Sequence, residues 1–251
     1  MIDVMVAGAS GRMGALTCAT VAAAADMQLV AEADPAFGPE QLHDGRFASV
    51  DSALQETRPQ VAVDFTVPGA VFETVSSALR AGVHTVVGTT GLTDEQARDL
   101  GAIAAQHGAA LVLVPNFSLG AVLMMRFAAE ASRHFPRAEI VELHDEGKVD
   151  APSGTSLRSA RMMTESGARQ RAAADDGLAS RGLAEGGVRI HSLRLPGVVA
   201  HQEVVFGGSS ETLTIRHDSL SRESFMPGVL LAIRKAPHCT GTVVGLEHLL
   251  A

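Results

Sequence analysis

The feature that most constrains the fold of this chain is a glycine-rich segment, GASGRMG, that begins at residue 8. The apolar residues 2–7 before it predict a buried strand, and the Ala-rich residues 13–25 after it predict a helix. Within the segment, Gly8, Gly11 and Gly14 follow one another at intervals of three. A glycine turn that joins a strand directly to a helix is typical of the first unit of a sheet built from alternating strands and helices.

This GxxGxxG spacing is a variant of the fingerprint of dinucleotide-binding proteins. The first glycine permits the tight turn, the second lets the backbone approach a pyrophosphate, and the third allows the helix to pack closely on the strand. The partial positive charge at the N-terminus of the helix also favours a phosphate. The residues that we expect to cradle a pyrophosphate are Gly8, Ala9, Ser10, Gly11, Arg12 and Met13.

A carboxylate stands where the ribose of such a cofactor is usually held. The second predicted strand, residues 28–33, is followed by Asp34, which lies 20 residues after Gly14. Glu32 lies on the same side of the strand as Asp34. Asp34 is nearer the carboxyl edge of the sheet, and we expect it to hold the ribose. Because no Arg or Lys follows Asp34 until Arg46, a 2′-phosphate would find no local cation. The sequence therefore predicts that NADH is used at least as well as NADPH.

Short apolar runs and helical segments alternate through the first 120 residues. Further strands are predicted at 61–65, 85–87 and 110–114, and further helices at 52–56, 70–81 and 94–107. This alternation predicts an α/β Rossmann domain with a parallel sheet at residues 1–120. The loops after two of the strands are expected to line the nicotinamide end of the cofactor site. Taken singly, each loop could also be a plain turn or a helix cap. Their residues are Gly88, Thr89, Thr90, Pro115, Asn116, Phe117 and Ser118.

The pattern changes after residue 120. Helices are predicted at 121–134, 156–167 and 225–234, and strands at 138–143, 188–194, 202–206 and 211–217, with a strand-like tail at 242–246. Residues 172–187 show no periodicity and indicate a surface excursion. Strands that follow one another without helices indicate a C-terminal α+β domain with a mixed or antiparallel sheet. We assign residues 121–234 to this domain and expect the tail, 235–251, to pack back on the first.

Composition narrows the classes of partner. The formal net charge of −8 argues against a general affinity for nucleic acid, which depends on Lys and Arg. No basic and apolar leader and no stretch of about 18 apolar residues is present, so we expect a cytoplasmic protein without membrane attachment. The two cysteines, Cys18 and Cys239, are far apart and have no zinc-ligand spacing, so no metal site is expected.

The segment that is richest in chemistry is ELHDEGKVDAPSGTS, at residues 142–156. It places the imidazole of His144, the amine of Lys148 and two hydroxyl groups around a glycine turn. From the residues alone, a plainer interpretation is equally open. His144 would then be a satisfied histidine at a strand end, Lys148 a solvated loop charge, and Ser153 the cap of a helix.

This segment strongly resembles the signature of the 4-hydroxy-tetrahydrodipicolinate reductase (dihydrodipicolinate reductase) family, E-x-H-H-x-x-K-x-D-A-P-S-G-T. The resemblance extends along nearly the whole chain, and the segment at 217–234 is similar to that of actinobacterial members. Several motifs in the right order are far more specific than a glycine loop alone. These motifs are VAGASGRMG at the start, DFTVP at 64–68, VVGTTG at 86–91, VPNFSLG at 114–120 and LRLPGVVAHQEVVFG at 193–207.

The resemblance implies an enzyme of the diaminopimelate and lysine pathway. Such an enzyme reduces 4-hydroxy-tetrahydrodipicolinate, a cyclic imine dicarboxylate, to tetrahydrodipicolinate with NADH or NADPH. His144 and Lys148 would be the catalytic proton donors, and Gly154 and Thr155 would bind a substrate carboxylate. A homotetramer assembled through the C-terminal domain is also implied. At one position the chain departs from the signature: Asp145 replaces the second histidine, a substrate contact, and would repel a dianion unless it turns away or engages a cation.

Two other functions stay open. A related imine reductase or amino-acid dehydrogenase could keep this scaffold and act on another substrate, which Asp145 favours. A Rossmann protein could also sense NAD(P) without catalysis. A sensor would need neither His144 nor Lys148.

Overall fold

The computed structural model of the protein describes residues 1–42, 44–166 and 178–250. The chain divides into two compact units, one of Met1–Phe117 with Phe225–Ala251 and the other of Ser118–Ser224. The strands within the described ranges are β1 Ile2–Ala7, β2 Met27–Ala33, β3 Arg46–Phe47, β4 Val61–Asp64, β5 His84–Val87, β6 Ala110–Leu113, β7 Arg137–His144, β8 Leu183–Glu185, β9 Val188–Arg194, β10 Ala200–Gly207, β11 Thr212–Ser219 and β12 Gly241–Val244. The α-helices are α1 Arg12–Ala23, α2 Val50–Thr57, α3 Val71–Arg80, α4 Asp94–Gln106, α5 Leu119–Ala131, α6 Gly154–Glu165 and α7 Met226–Lys235.

The first unit is built on a sheet of parallel strands in the order β12-β6-β5-β4-β1-β2-β3. Its central strands are apolar enough to be buried on both faces, and Val4, Met5, Val6, Val61 and Val63 are 0% exposed. The strand order reverses between β1 and β4, which is the switch point of a doubly wound sheet. The predicted Rossmann fold with a parallel sheet is therefore confirmed.

Amphipathic helices pack on this sheet. In α3 the buried residues Val71, Val75 and Leu79 recur at intervals of four and so lie on one face. α4 begins with a capping box, in which Thr93 Oγ1 accepts the N–H of Gln96 at 3.2 Å and Gln96 Oε1 accepts the N–H of Thr93 at 3.0 Å. Because the strands run parallel, the loops that follow β1, β2, β4, β5 and β6 all lie at one edge of the sheet.

The C-terminal tail and the helix before it belong to the first unit. The tail strand β12 pairs in parallel with β6. The sequence grouped α7 with the second domain, whereas the structure packs it within the first unit. The physical reason is its apolar face, since Met226, Val229 and Ile233 are buried. In addition, Arg234 at the end of α7 pairs with Asp26 at 2.7 Å.

The second unit contains a mixed sheet in the order β11-β10-β7-β9-β8. β7 and β9 run parallel, and the other neighbours run antiparallel. Helices α5 and α6 cover one face, where Ala128 and Met163 of the helices pack against Ile140, Ile190 and Phe206 of the strands. The predicted α+β domain with a mixed sheet is confirmed.

Several element bounds differ from the sequence prediction for physical reasons. α5 and α6 begin two residues earlier than predicted because Ser118 and Ser153 cap them, each accepting the N–H three residues further on. The short strands β3 and β8 were not predicted, since elements of two or three residues show no periodicity. Of the predicted surface excursion, residues 172–177 lie outside the described residues. No helix within the described ranges is long and apolar enough to cross a membrane.

Candidate functional site

The glycine loop between β1 and α1 leaves no room for side chains at two of its positions. Gly8 has a φ of +77°, and a Cβ atom there would strike the backbone carbonyl of Phe65. A Cβ atom on Gly14 would strike the carbonyl of Gly8, so the first turn of α1 lies directly against the end of β1. Both glycines are therefore required by close approaches of the backbone.

The N-terminus of α1 has no side-chain cap. The residue before the helix is Gly11, whereas α4, α5 and α6 each begin after a Thr or Ser that caps them. The first helical residues are Arg12, which is exposed, and Met13, which is half-buried. An uncapped helix N-terminus with a partial positive charge is suited to a phosphate group. The N–H of Ser10, which was expected to join this cradle, is donated to Asp34 at 3.0 Å.

Asp34 joins the loop after β2 to the glycine loop. It is 8% exposed, and its two carboxylate oxygens accept the N–H groups of Ser10 at 3.0 Å and Ala36 at 2.8 Å. Burial by itself would raise the pKa of Asp34, but these donors outweigh it and hold the pKa below its usual range. Asp34 is therefore ionised at neutral pH, at the carboxyl end of β2.

A cavity of about 410 Å³ lies beside these two loops. Its wall includes Ala9 and Ser10 of the glycine loop together with Glu32, Phe37 and Arg46. Arg46 pairs with Glu32 at 3.4 Å, and its guanidinium lies 5.4 Å from the centre of the Phe37 ring. Sequence analysis did not place Arg46 at the site because β3 has no periodic pattern. The only available signal was a lone cation in a segment otherwise without Lys or Arg.

A buried aspartate that sequence analysis did not assign organises the loops after β4 and β5. Asp64 is 2% exposed and accepts hydrogen bonds from the hydroxyl groups of Thr66 at 2.9 Å, Thr74 at 2.6 Å and Thr89 at 2.6 Å. Thr89 thus uses its hydroxyl to anchor its loop, and the next residue, Thr90, is exposed. The available signal was the position of Asp64 in the DFTVP motif, directly at a strand end.

Gly88 and the loop after β6 pack together through aromatic rings. Phe117 is 5% exposed, its ring centre lies 5.5 Å from that of Phe65, and Gly88 lies against both rings. In the same loop, Pro115 is exposed and Asn116 is half-buried. The structure therefore brings these predicted residues to the sheet edge that also carries the glycine loop and Asp34.

Ser118, the last of the predicted cofactor residues, falls in the second unit. It is 2% exposed, caps α5 through the N–H of Ala121 at 3.3 Å, and lies 3.1 Å from Nε2 of His217. Burial lowers the pKa of His217, while the nearby Asp218 opposes this effect and His201 adds to it. His217 was not singled out on the sequence, where nothing distinguishes it from an ordinary strand residue.

His144 ends β7 and is paired with a buried carboxylate. Its Nδ1 contacts Oε2 of Glu142, which is 0% exposed. Burial alone would raise the pKa of Glu142, but hydrogen bonds from His144, Arg194 and Ser192 lower it to about 2. Because the ionised carboxylate can only accept, Nδ1 carries the proton, and Nε2 is the ring nitrogen that remains for chemistry.

Lys148 lies in the loop that follows β7. Its Nζ donates to Asp150 at 2.6 Å, and its side chain is 30% exposed. Arg194, at the end of β9, donates to the backbone carbonyls of Lys148 at 3.3 Å and Asp150 at 2.5 Å. In the parallel register of β7 and β9, His144 lies beside Arg194. One strand end and the loop after it therefore carry both predicted proton donors.

This loop ends at the N-terminus of α6. Ser153 accepts the N–H of Ser156 at 3.2 Å, so Gly154 and Thr155 are the first two helical residues. Gly154 is exposed, and a Cβ atom on it would meet nothing within 4 Å. The helix end is fixed from inside the unit by Gln202, whose Oε1 accepts the hydroxyl of Ser156 at 2.9 Å. The positive end of a fixed helix suits an anionic group.

Family models match almost the whole chain. Residues 2–117 match the model described as dihydrodipicolinate reductase, N-terminus, and residues 120–250 match the one described as dihydrodipicolinate reductase, C-terminus. The chain belongs to the dihydrodipicolinate reductase family. It is therefore an oxidoreductase, in a family of pyridine-nucleotide-dependent reductases.

Curated relatives and a solved structure match the chain from end to end. The 4-hydroxy-tetrahydrodipicolinate reductase of Listeria monocytogenes serotype 4b (strain CLIP80459) is 44% identical over 260 residues, which cover 98% of this chain and 99% of the relative. That of Streptococcus mutans serotype c is 46% identical, with 99% of each chain covered. The dipicolinate-bound dihydrodipicolinate reductase from Paenisporosarcina sp. TG-14 is 37% identical and superposes with a TM-score of 0.87 over 100% of both chains. A probable dehydrogenase from Thermotoga maritima, at 11% identity and a TM-score of 0.65, shares the fold alone.

Asp145 is the position at which the chain departs from the dihydrodipicolinate reductase signature. The residue is exposed, and its Oδ1 accepts the N–H of Gly147 at 3.0 Å, which closes a turn of its own loop. Two cations that could have engaged it have other partners. Lys148 pairs with Asp150, and Arg181 pairs with Glu139.

Proposed function

We propose that this chain catalyses the reduction of 4-hydroxy-tetrahydrodipicolinate to tetrahydrodipicolinate, with NADH or NADPH as the reductant and with release of water, in the diaminopimelate and lysine pathway. The observation that carries the proposal is the loop from His144 to Thr155. It joins an imidazole, an amine and a helix N-terminus in the order of the family signature. The curated relatives that share this activity by name are matched over 98–99% of this chain.

The groups of this loop suit the transfer of a proton. When a hydride adds to a conjugated imine, negative charge develops on the ring and has to be neutralised. The ammonium group of Lys148 can donate a proton. Nε2 of His144 can donate one when the ring is an imidazolium, whose other N–H stays directed at Glu142. We assign these two side chains to proton donation. Proton transfer by a positioned group of this kind contributes a factor of about 10²–10⁴ to a rate.

The N-terminus of α6 suits a carboxylate of the substrate. We assign this contact to the backbone of Gly154 and to Thr155, because helix N–H groups and the helix dipole both favour a negative group there. Gly154 is exposed, which gives an anion access to it. The hydrogen bonds that link Ser153, Ser156 and Gln202 keep the helix end in place.

The first unit fits a nicotinamide dinucleotide. The backbone approaches at Gly8 and Gly14 and the uncapped N-terminus of α1 suit a pyrophosphate, which we assign to the loop from Gly8 to Met13. The ionised carboxylate of Asp34 suits the hydroxyl groups of a ribose. We assign the nicotinamide end to the loops after β5 and β6. When bound, the cofactor supplies the hydride.

We also propose that NADH is used at least as well as NADPH. An ionised Asp34 at the end of β2 would repel a 2′-phosphate. Arg46, a cation in the wall of the adjoining cavity, is already paired with Glu32. The expected preference for NADH over NADPH is modest. Arg46 and Glu32 are both partly exposed, and salt screens the charges of such side chains.

We further propose a homotetramer assembled through the second unit. Support comes from the face of its sheet opposite α5 and α6, where strand alternation places Val141, Leu143, Leu193 and Val205. These apolar side chains are half-buried or exposed within the unit, and Leu193 is 36% exposed. The same face also carries Glu139 and Glu203 beside these apolar side chains, and subunit interfaces combine apolar and polar contacts in this way. Light scattering should give about four times the chain mass of 26.0 kDa, and a monomer would contradict the proposal.

A coupled assay tests the proposed reaction. The substrate is generated in situ, and the loss of NADH absorbance is followed after addition of the purified chain. Loss that depends on both substrate and chain is expected. Cofactor binding without any turnover would contradict the proposal and favour a sensor of NAD(P). Turnover of other cyclic imines in preference to this substrate would favour the related reductase that Asp145 suggests.

A cytoplasmic location stays a prediction of the sequence.

A further inference from the structure

The two candidate proton donors of the second unit share one support, a buried ion pair behind their loop. The side chains of Glu142 on β7 and Arg194 on β9 meet, with Nη2 of Arg194 3.0 Å from Oε1 of Glu142. The carboxylate is 0% exposed and the guanidinium side chain is 18% exposed. The cost of removing two such charges from water can exceed their attraction, so a buried pair is weak evidence for stability. Stability alone therefore does not account for this pair.

Each partner of the ion pair also reaches a different part of the candidate site. Oε1 of Glu142 faces Nη2 of Arg194 in the ion pair, and Oε2 contacts Nδ1 of His144, which fixes both the ring and its tautomer. Arg194 donates from Nε to the carbonyl of Lys148 at 3.3 Å and from Nη2 to the carbonyl of Asp150 at 2.5 Å. A single connected network thus reaches both proton donors.

We propose that the Glu142–Arg194 pair is the positioning device of this site, in which Glu142 orients His144 and Arg194 holds the backbone that carries Lys148. The inference rests on the proposed function, since the two donors matter to the reaction only if they supply its proton. An ion pair that served the fold alone would need neither the contact with His144 nor the two loop carbonyls. Two positioning residues thereby join the site beyond the two proton donors.

Lysine cannot replace arginine in this role. The planar guanidinium presents five donors in fixed directions and can hold a carboxylate and two carbonyls at once, whereas an ammonium group on a flexible stem has three donors. Arg194→Lys therefore keeps a positive charge beside Glu142 but loosens the loop. Glu142→Gln keeps the size of the side chain and removes the charge that fixes His144. Arg194→Lys therefore tests the hold on the loop, and Glu142→Gln tests the orientation of His144.

Steady-state kinetics of the full chain test the proposal. Arg194→Lys and Glu142→Gln are each expected to lower kcat about 10- to 100-fold, because small displacements of reacting groups reduce rates by such factors. Binding of NADH, and of dipicolinate as a stable dicarboxylate probe, should change less than about threefold. The matched control is Arg161→Lys, whose exposed pair with Glu185 at 2.8 Å lies in the same unit. It should keep the wild-type kcat.

Amide hydrogen exchange gives a readout that does not depend on activity. In Arg194→Lys, exchange should quicken in residues 145–152 and stay as in the wild type elsewhere in the second unit. A kcat within about twofold of the wild type in both variants would overturn the proposal. So would loss of protection throughout the second unit, because the pair would then hold the fold rather than the loop. If the wild-type chain does not reduce the substrate, the proposed function fails, and the exchange of residues 145–152 alone decides whether Arg194 holds the loop.

Discussion

Lys148 and Lys235 are the two lysines of the chain, and they differ in their surroundings. Lys148 lies in the candidate loop and pairs with Asp150, whereas Lys235 ends α7. We expect Lys148→Ala to lower kcat/KM by a factor of about 10²–10⁴, the usual effect of removing a positioned proton donor. NADH binding should barely change, and Lys235→Ala should behave as the wild type. Near-normal turnover of Lys148→Ala in steady-state kinetics would mean that this lysine is only a solvated loop charge.

Substitutions of Asp145 test whether a carboxylate at this position weakens the binding of a dianionic substrate. If its charge repels the substrate, Asp145→His should lower KM with little change in kcat. Asp145→Asn is the matched control, because it can keep the turn contact with the N–H of Gly147 while losing the charge. A similar fall in KM for both variants would assign the effect to charge alone. An unchanged or higher KM in both would argue against repulsion and would favour either an Asp145 that faces away from the substrate or a different natural substrate.

Functional residues could be predicted from the sequence when the side chain itself is chemically reactive. They were missed when the role of the residue depends on contacts that only the fold creates. His144 and Lys148 stand out because an imidazole and an amine share one loop of the family motif. Glu142 lies in the same motif, yet its role depends on a hydrogen bond to His144 and a cation from another strand. Arg194 supplies that cation only because β9 pairs in parallel with β7. Asp64 likewise acquires its role from hydroxyl groups up to 25 positions away in the chain.

At the scale of elements, β2 and β3 together form the wall that we expect to set cofactor preference. Glu32 on β2 pairs with Arg46 on β3 at 3.4 Å. Glu32→Gln removes this carboxylate and releases the guanidinium, so the ratio of kcat/KM for NADPH to that for NADH should rise. An exposed ion pair is worth up to about 1 kcal/mol, so the rise should be at most about fivefold.

The wild-type ratio and Arg46→Gln provide the comparison for this prediction. The wild type should use NADH at least as well as NADPH, and Arg46→Gln should not raise the ratio. An unchanged ratio in Glu32→Gln would show that the pair lies too far from the 2′ position to matter. A wild-type advantage of NADPH of about tenfold or more would show that a cation already reaches that position.

Helices and strands could be predicted where burial produces a periodic pattern of apolar residues in the sequence. β1 and β9 have the bounds that the sequence predicts, since each carries its own apolar signal. The starts of α5 and α6 were missed because a serine cap, and not an apolar residue, sets them. β3 forms through its pairing with β2, and the sequence of β3 itself has no pattern that predicts a strand.

At the scale of the whole molecule, each unit carries its own set of functional groups. The first holds the glycine loop, Asp34 and the loops after β5 and β6, and the second holds the candidate proton-donor loop and the N-terminus of α6. This separation could be predicted because the two motifs lie far apart in the sequence. The sequence also predicted that the tail with β12 packs on the first unit, but it grouped α7 with the second, because α7 contacts residues such as Asp26 that lie more than a hundred positions earlier.

The reaction itself is tested most directly with a labelled cofactor. The full chain is given substrate generated in situ and NADH that carries deuterium at C4 of the nicotinamide, with the two C4 stereoisomers used in separate reactions. The product is then analysed by mass spectrometry. Tetrahydrodipicolinate is expected to form in equal amount to NAD⁺ and to carry a single deuterium with one of the two stereoisomers. Product without deuterium from either stereoisomer, or NADH oxidation that yields no tetrahydrodipicolinate, would contradict the proposed reaction.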